Sequence, residues 1–570
     1  MTGTLLQAAL AAHRAGRLPE AEALYRQVLA ADPAQIDALH LLGVLAQQAG
    51  QPDLAVELIG RAVARQPDYV AAQNNLGNAL LALGRLEAAA ERYRLVLRLK
   101  SDEADAARNL GVVLRQQGRP AEAVAQLEAA LALRRDVEGL NELGLALASA
   151  GRFEDALVAY RAALDLRPDF AAALNNLGML LGETGRPEEA ERHFRAALEL
   201  DPGLVAVWSN LGNTLCTLDQ PAAAEACYRE ALRLRPDHAE ARGNLGHALA
   251  NLGRHAEAAT SYRAALAQRP DDDALHHSLG QALLLTGQFE AGWAEHERRR
   301  HSRNFVQPLW MGEPLDGKIL LLHAEGGLGD TIQFCRYARS LPAGRQILLE
   351  VPPALRRLME GLADRPPVIA RSETLPPFDL HCPLMSLPHR LGIRLDTIRA
   401  DIPYLAAEPE LIAAWRERLA GLAGLRIGLA WSGNPAYRAD RRRSLPLARL
   451  APLFEVPGIT FVSLQKGEAA AQAADQPRLL DPTALLTDFA ETAALVETLD
   501  LVISVDTAIA HLAGALGKPI WLLNSFDPHW VWLLDRSDSP WYPSLRQFRQ
   551  SAPGDWDGVV AKVARALAAR

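Results

Sequence analysis

A Leu-Gly pair returns on a 34-residue beat through the first half of this 570-residue chain, and that period limits the fold more than any other feature. The pairs are Leu42-Gly43, Leu76-Gly77, Leu110-Gly111, Leu143-Gly144, Leu177-Gly178, Leu211-Gly212, Leu245-Gly246 and Leu279-Gly280, with one step of 33. A second glycine keeps time at Gly16, Gly50, Gly84, Gly118, Gly151, Gly185, Gly253 and Gly287, and Asp219 fills the one missing slot. A bulky residue follows at Tyr25, Ile59, Tyr93, Leu127, Tyr160, Phe194, Tyr228 and Tyr262, and Pro33, Pro67, Pro168, Pro202, Pro236 and Pro270 close most units. Each unit predicts two apolar-periodic helices, a glycine where the chain reverses and a proline that stops the second helix. The glycine inside the first helix predicts close helix approach, with the bulky residue filling the gap between units. One unit cannot bury its apolar face alone, whereas a stack can, so the expectation is an α-solenoid with a concave groove.

The pattern resembles the tetratricopeptide repeat, with about nine units over residues 1–300. Before the Leu-Gly pair stand Asn75, Asn109, Asn176, Asn210 and Asn244, interrupted by Glu142. In this repeat class that position lies on the helix lining the concave face. A carboxamide both donates and accepts, so such a ladder can grip an extended polypeptide backbone. It is equally suited to bracing adjacent repeats. The ladder resembles that of O-linked N-acetylglucosamine transferases, which also join these repeats to a glycosyltransferase. Asp271-Asp272-Asp273 has the form of a DxD metal motif, but its place after Pro270 predicts helix capping.

Composition excludes several classes. Residues 301–570 hold 29 Lys and Arg against 29 Asp and Glu, so the net charge of −8 comes entirely from residues 1–300. An acidic half with no basic stripe disfavours nucleic acid and anionic membrane as partners. No apolar run approaches the roughly 20 residues of a membrane span, and the first residues read as an amphipathic helix, not a signal peptide. Four cysteines without a CxxC pair are too few for a disulfide framework, so a cytoplasmic protein is expected.

After residue 300 the period is lost. Lys318–His323 reads as a buried strand, followed by Gly326-Gly327-Leu328-Gly329-Asp330, a helix to about Ser340 and a strand at Gln346–Val351, a βαβ unit lacking the GxGxxG and Walker patterns. A second start appears at Leu425–Trp431, with a loop carrying Asn434 and Arg441-Arg442-Arg443, and a strand Ile459–Leu464 ends in Gln465-Lys466-Gly467. Strand Leu501–Val505 leads through Asp506-Thr507-Ala508 into a helix containing His511, with Gly517 and Pro519 ahead of strand Ile520–Leu523. Asp506 is expected as the N-cap and Gly517 as the C-cap; such a helix start is either a phosphate site or a well-capped crossover.

Gly329-Asp330 with Asp506-Thr507-Ala508-Ile509-Ala510-His511 resembles the heptosyltransferase-type glycosyltransferases of family nine, and Leu328–Phe334 with Ser539–Pro543 resembles bacterial fusions of such a domain to tetratricopeptide repeats. The resemblance implies a GT-B fold: a linker at 301–316, an N-terminal lobe at 317–405 and a donor-binding lobe at 406–570, with the last helix, about Trp556 to Ala569, packing back on the N-terminal lobe. It implies that Asp330 is the general base and that Asp506, Thr507, Ala508 and His511 hold the donor diphosphate. Arg443 and Lys466 become candidate cations for the leaving group, with Asn434 in the same loop as Arg443. Neither a metal nor any other cofactor is then required. Ala508 stands where relatives carry glycine, and His529-Trp530-Val531-Trp532 replaces an Asp-Trp-Arg-Trp segment. Trp530, Trp532 and Trp541 are open to stacking on a ligand or to a core role, and His323 to lining the cleft or to a structural role. The short N-terminal lobe suggests that the repeats share in acceptor recognition.

The expectation is an inverting, metal-independent glycosyltransferase that takes a nucleotide-diphosphate sugar and a polypeptide acceptor recruited by the repeat groove. The alternatives are a transferase of the lipopolysaccharide or other glycan type, and a repeat scaffold with a degenerate GT-B half.

Overall fold

The computed structural model describes residues 2–299, 303, 305–341, 346–362, 366–437 and 440–570. The chain forms two compact units, Met1–Pro236 and Asp237–Arg570.

The first unit is fourteen α-helices, from Thr2–Arg14 to Pro221–Leu234, in antiparallel pairs. Pro52, Pro120, Pro187 and Pro221 open second helices at the first helical position, where a missing N–H costs nothing. The glycine between paired helices is left-handed, as at Gly84 with φ +68°, and Asp219 adopts φ +58° in the slot without glycine. A Cβ built on Gly77 would lie 2.6 Å from the Tyr93 ring, and one on Gly144 would lie 2.5 Å from Tyr160. Both rings stand in the second helix of the same pair. The bulky residue therefore closes a repeat internally, and the expected bridge between units is corrected: the hairpin itself brings the two positions face to face.

The second unit opens with four more helices, Ala239–Asn251, His255–Leu266, Asp273–Leu285 and Phe289–His296. Asp272 caps the third through the N–H groups of Ala274 and Leu275, 3.1 Å each, the role expected of that acidic run. Two parallel sheets follow. The first contains β1 (Ile319–His323), β2 (Gln346–Val351), β3 (Val368–Ala370) and β4 (Leu380–Pro383), in the order β3-β2-β1-β4. The second contains β5 (Leu425–Ala430), β6 (Ile459–Ser463), β7 (Leu479–Leu480), β8 (Leu501–Val505), β9 (Ile520–Asn524) and β10 (Leu545–Arg549), ordered β10-β9-β8-β5-β6-β7. Both are doubly wound, and their strands are apolar because each face is covered. A helical repeat array followed by two such sheets is the architecture expected of a repeat solenoid joined to a GT-B fold.

The compact unit begins at Asp237, whereas the sequence placed the domain boundary at residue 300. Leu284, Leu285, Phe289 and Trp293 share one core with Leu320, Leu322, Trp530 and Tyr542, so these last helices cannot be separated from the sheets without exposing it. The expected linker is also partly structured: Trp310 donates its backbone N–H to the His381 carbonyl, 2.8 Å, along the edge of β4. Residues 301, 302 and 304 of that linker lie outside the described residues. The last helix, Trp556–Ala568, packs on its own lobe, not on the N-terminal one. Val559, Val560, Val563 and Leu567 meet Leu450, Leu453 and Phe461, because the open face of the six-stranded sheet is what its apolar stripe has to cover. No helix among the described residues is long and apolar enough to cross a membrane.

Candidate functional site

In each sheet the winding direction reverses beside the first strand, between β1 and β4 and between β8 and β5. The carboxyl ends of such strands frame a crevice that no crossover helix covers. The loop after β1 leads to Asp330, and the loops after β8 and β5 carry Asp506 and Arg443. Helix Leu328–Phe334 packs on helix Ala508–Ala515, and a Cβ on Gly329 would come within 2.9 Å of the His511 ring. Glycine at 329 is what lets the two lobes approach here.

Asp330 sits three residues past Gly327, the N-cap of its short helix, and its Oδ2 accepts the Gly327 N–H at 2.7 Å. A Cβ on Gly326, which has φ +69°, would fall 2.5 Å from that same oxygen, so the loop must be glycine for the carboxylate to turn inward. Oδ1 has no hydrogen-bond partner among the described residues. Burial raises the Asp330 pKa above the ordinary aspartate value, Asp506 adds to the rise, and His529, the Gly327 N–H and Arg443 oppose it. A half-buried, partly desolvated carboxylate with one oxygen unpartnered among the described residues is the arrangement a proton acceptor needs.

Arg443 lies 3.9 Å from Asp506 Oδ2 and 3.0 Å from Asp440 Oδ1, with its guanidinium 5.0 Å from the Tyr437 ring centroid. Asp440 also accepts from the Ser444 hydroxyl at 2.8 Å, and a Cβ on Gly433 would collide with it at 2.2 Å. Thr507, not Asp506, is the N-cap of helix Ala508–Ala515, because its Oγ1 faces the Ile509 N–H at 3.3 Å while the Asp506 carboxylate points toward Arg443. Ala508 is the first helical residue. The helix ends at Ala515 with Leu516 as its C-cap, and Gly517, the expected cap, is the left-handed residue one position beyond it. His511 is buried, stacks on Trp532 with ring centroids 5.0 Å apart, and shares a hydrogen bond of 2.9 Å with the Tyr542 hydroxyl. Its Nε2 is 3.9 Å from Asp506 Oδ1, and burial holds its pKa down at about 4. At neutral pH it brings shape and a hydrogen bond, not charge.

The Lys466 and Asn434 side chains are engaged elsewhere. Lys466 is exposed and donates to the Thr483 carbonyl at 2.8 Å. Asn434 is exposed and makes a turn, its Oδ1 accepting from the Ala436 N–H at 3.0 Å. The repeat carboxamides form links between successive first helices: Asn75 to His40 at 2.8 Å, Asn109 to Asn78 at 2.9 Å, Asn176 to Asn141 at 2.9 Å and Asn210 to Asn175 at 3.1 Å. That is the bracing role the sequence left open. Asn244 lies half-buried on helix Ala239–Asn251. Trp530, Trp532 and Trp541 are core residues, and His323 is buried against His381 and Phe305.

Sequence reasoning did not single out Gln465, Tyr437 or His529. Buried Gln465 accepts from the Trp431 and Ser432 N–H groups at 2.9 Å each, fixing the start of the arginine loop. His529 offered a signal, since it stands where the related segment has an acid. A glutamine after a strand offered none.

Sequence models match both the repeats and the second sheet. Residues 458–523, from β6 through β9, match glycosyltransferase family 9 (heptosyltransferase), and tetratricopeptide-repeat models match 3–27, 40–142, 144–237 and 210–299 in overlapping pieces. The chain joins tetratricopeptide repeats to a segment similar to family 9 glycosyltransferases. That segment holds Lys466 and Asp506–His511, whereas Asp330 and Arg443 lie outside it. Protein FlbA of Caulobacter vibrioides (strain ATCC 19089 / CIP 103742 / CB 15) is 29% identical over 321 residues, covering 50% of this chain. The match covers 53% of FlbA, so this chain spans about half the length of that curated relative. Among solved structures, the APC/C hetero-tetramer Cut9-Hcn1 is similar at 19% identity over 47% of this chain and 52% of that one, with a TM-score of 0.39. YrrB, a TPR protein with an unusual peptide-binding site, is similar at 27% identity over 33% of this chain and 96% of that one, with a TM-score of 0.27.

Proposed function

We propose that this protein is an inverting glycosyltransferase that moves a sugar from a nucleotide-diphosphate donor to a hydroxyl of a polypeptide recruited by its repeats. The observation that carries the reading is the meeting of Asp330 with Asp506 and Arg443 where the two crevices face each other. In this mechanism the free Oδ1 of Asp330 takes the acceptor's proton as its oxygen attacks the anomeric carbon. The bond from that carbon to the diphosphate breaks on the opposite face, which inverts the configuration. The leaving diphosphate is met by the Arg443 guanidinium and by the positive dipole end of helix Ala508–Ala515. Asp506 and Asp440 hold Arg443 in place, and Thr507 caps the helix that Ala508 begins. Protein groups rather than a metal neutralise the diphosphate, and no other cofactor takes part. Asn75, Asn109, Asn176 and Asn210 each spend one N–H on the preceding repeat, and an extended peptide would meet the donor capacity that their amide groups retain.

The test incubates wild type, Asp330→Ala and Arg443→Met with UDP-, GDP-, ADP- and dTDP-sugars, with and without a lysate as acceptor source, and follows released nucleotide by mass spectrometry. Release from one donor that Asp330→Ala loses supports the reading. Failure of every donor, together with no thermal stabilisation by any nucleotide, favours a repeat scaffold with a GT-B half that no longer transfers. Transfer to free glycan but never to polypeptide favours a lipopolysaccharide-type enzyme.

A further inference from the structure

The loop that carries Asp330 is tied to the end of the last repeat helix. Arg299, three residues beyond helix Phe289–His296, is buried and uses its whole guanidinium. Nε and Nη2 donate to Glu325 Oε2 at 3.1 and 2.7 Å, Nη2 also to the Ser386 hydroxyl at 2.8 Å, and Nη1 to Glu297 at 2.8 Å and the His296 carbonyl at 3.2 Å. Glu297 in turn accepts from Arg390 at 2.8 Å. Glu325 is 5% exposed and directly precedes Gly326, whose conformation admits the Asp330 carboxylate. Ser386 follows Met385, whose sulfur lies 3.3 Å from the same Gly326 Cβ position. Arg299 therefore reaches the base loop from two sides, through Glu325 and through the segment after β4.

One hydrogen bond and one close approach also run from the repeat helices to the loops across the cleft. Arg442, next to Arg443, donates to Asn251 at 2.7 Å, and His255 Nε2 is 3.4 Å from Asp527, two residues before His529. All of these residues lie within the compact unit Asp237–Arg570.

We infer that Arg299 is a positioning residue for Asp330: the last repeat sets the geometry of the catalytic base through the Arg299–Glu325 ion pair. The consequence for activity rests on the transferase reading above; the mechanical link does not. A planar fork spread over four partners cannot be replaced by a point charge, so lysine should restore the charge but only part of the geometry.

The experiment uses the full chain as wild type, Arg299→Lys, Arg299→Met and Glu325→Gln. Glu325→Gln keeps the volume and serves where removal of the buried arginine unfolds the protein. Amide hydrogen exchange is measured for peptides spanning 324–331 and 501–515, and donor turnover is measured as kcat and KM over pH. In Glu325→Gln or Arg299→Met, exchange at 324–331 is expected to rise at least tenfold, with 501–515 within twofold of wild type. With the turned-over donor, kcat is expected to fall at least tenfold at nearly constant KM, with a displaced pH limb and Arg299→Lys intermediate. Unchanged exchange at 324–331 in a folded variant overturns the inference, as does a kcat within twofold of wild type. If wild type turns over no donor, the transferase reading fails, and the exchange data alone still decide whether Arg299 holds the loop.

Discussion

Asp330 shows how one carboxylate serves a helix and a reaction at once. It returns a hydrogen bond to the N-cap of its own helix, which would justify an acid there without any chemistry. What capping does not explain is the free Oδ1 or the neighbouring Asp506 and Arg443. Asp330→Asn keeps the shape and is expected to lower donor turnover by about 10²–10⁴-fold, the usual worth of a general base. The pH profile adds a signed test. Burial places the rising limb of turnover above the ordinary aspartate value, so Asp506→Asn should move that limb to lower pH and Arg443→Met to higher pH. His511 gives a second, for stability. With its pKa held at about 4 in the folded chain, the unfolded chain takes up a proton between pH 6.5 and 4 that the native state does not. Its contribution is thus complete above pH 6.5 and is lost as pH falls toward 4, by about 3 kcal/mol at about 1.4 kcal/mol per unit. Chemical denaturation of His511→Gln against wild type at pH 7.5 and 4.5 should show the variant losing less stability on acidification.

At the scale of one element, the repeat is a hairpin whose two halves are fitted to each other. Gly77 leaves room for the Tyr93 ring, and the Tyr93 hydroxyl donates to Asn78 at 2.7 Å. Gly77→Val is expected to cost about 1–3 kcal/mol by overpacking, because a buried ring and a helix backbone must move apart. Tyr93→Phe should cost about 0.5–1.5 kcal/mol by removing one of the two donors to the Asn78 carbonyl, Asn109 being the other. Thermal denaturation of both variants distinguishes the two effects, and the ordering fails if the phenylalanine is the worse. This element was almost wholly legible in the sequence, since a period of 34 with a fixed glycine and a fixed bulky residue admits few packings. The one misreading, placing the ring between repeats, arose because a period does not say which neighbour a side chain meets.

For the molecule as a whole, the division into units matters more than the division into families. The family match starts well inside the second sheet, and the sequence period stops near residue 300, yet the compact unit begins at Asp237. A fragment of residues 237–570 is expected to be soluble and to melt in one transition. A fragment of residues 301–570 should aggregate, because Leu320, Leu322, Trp530 and Tyr542 would lose the cover of Leu284, Leu285, Phe289 and Trp293. Size-exclusion chromatography and calorimetry of the two fragments test this, and a well-behaved shorter fragment would show that the last repeats are only appended.

Residue types and spacings determined the repeat, the strands and the glycine loops, because each depends on local backbone geometry or on a pattern that survives in one dimension; the resemblance to family nine is what marked Asp330, Asp506 and Arg443 as residues to watch. Only the tertiary structure decided which of the candidates meet. Lys466 and Asn434 sit in loops at the same sheet edge as Arg443, yet their side chains are engaged elsewhere. Gln465 and Arg299 resemble any other polar residues until the chain folds their partners, distant in sequence, against them. The carboxamide ladder was visible, but a side chain that can both donate and accept does not reveal its partner; the distance between successive helices does, because it leaves one amide in reach of the next.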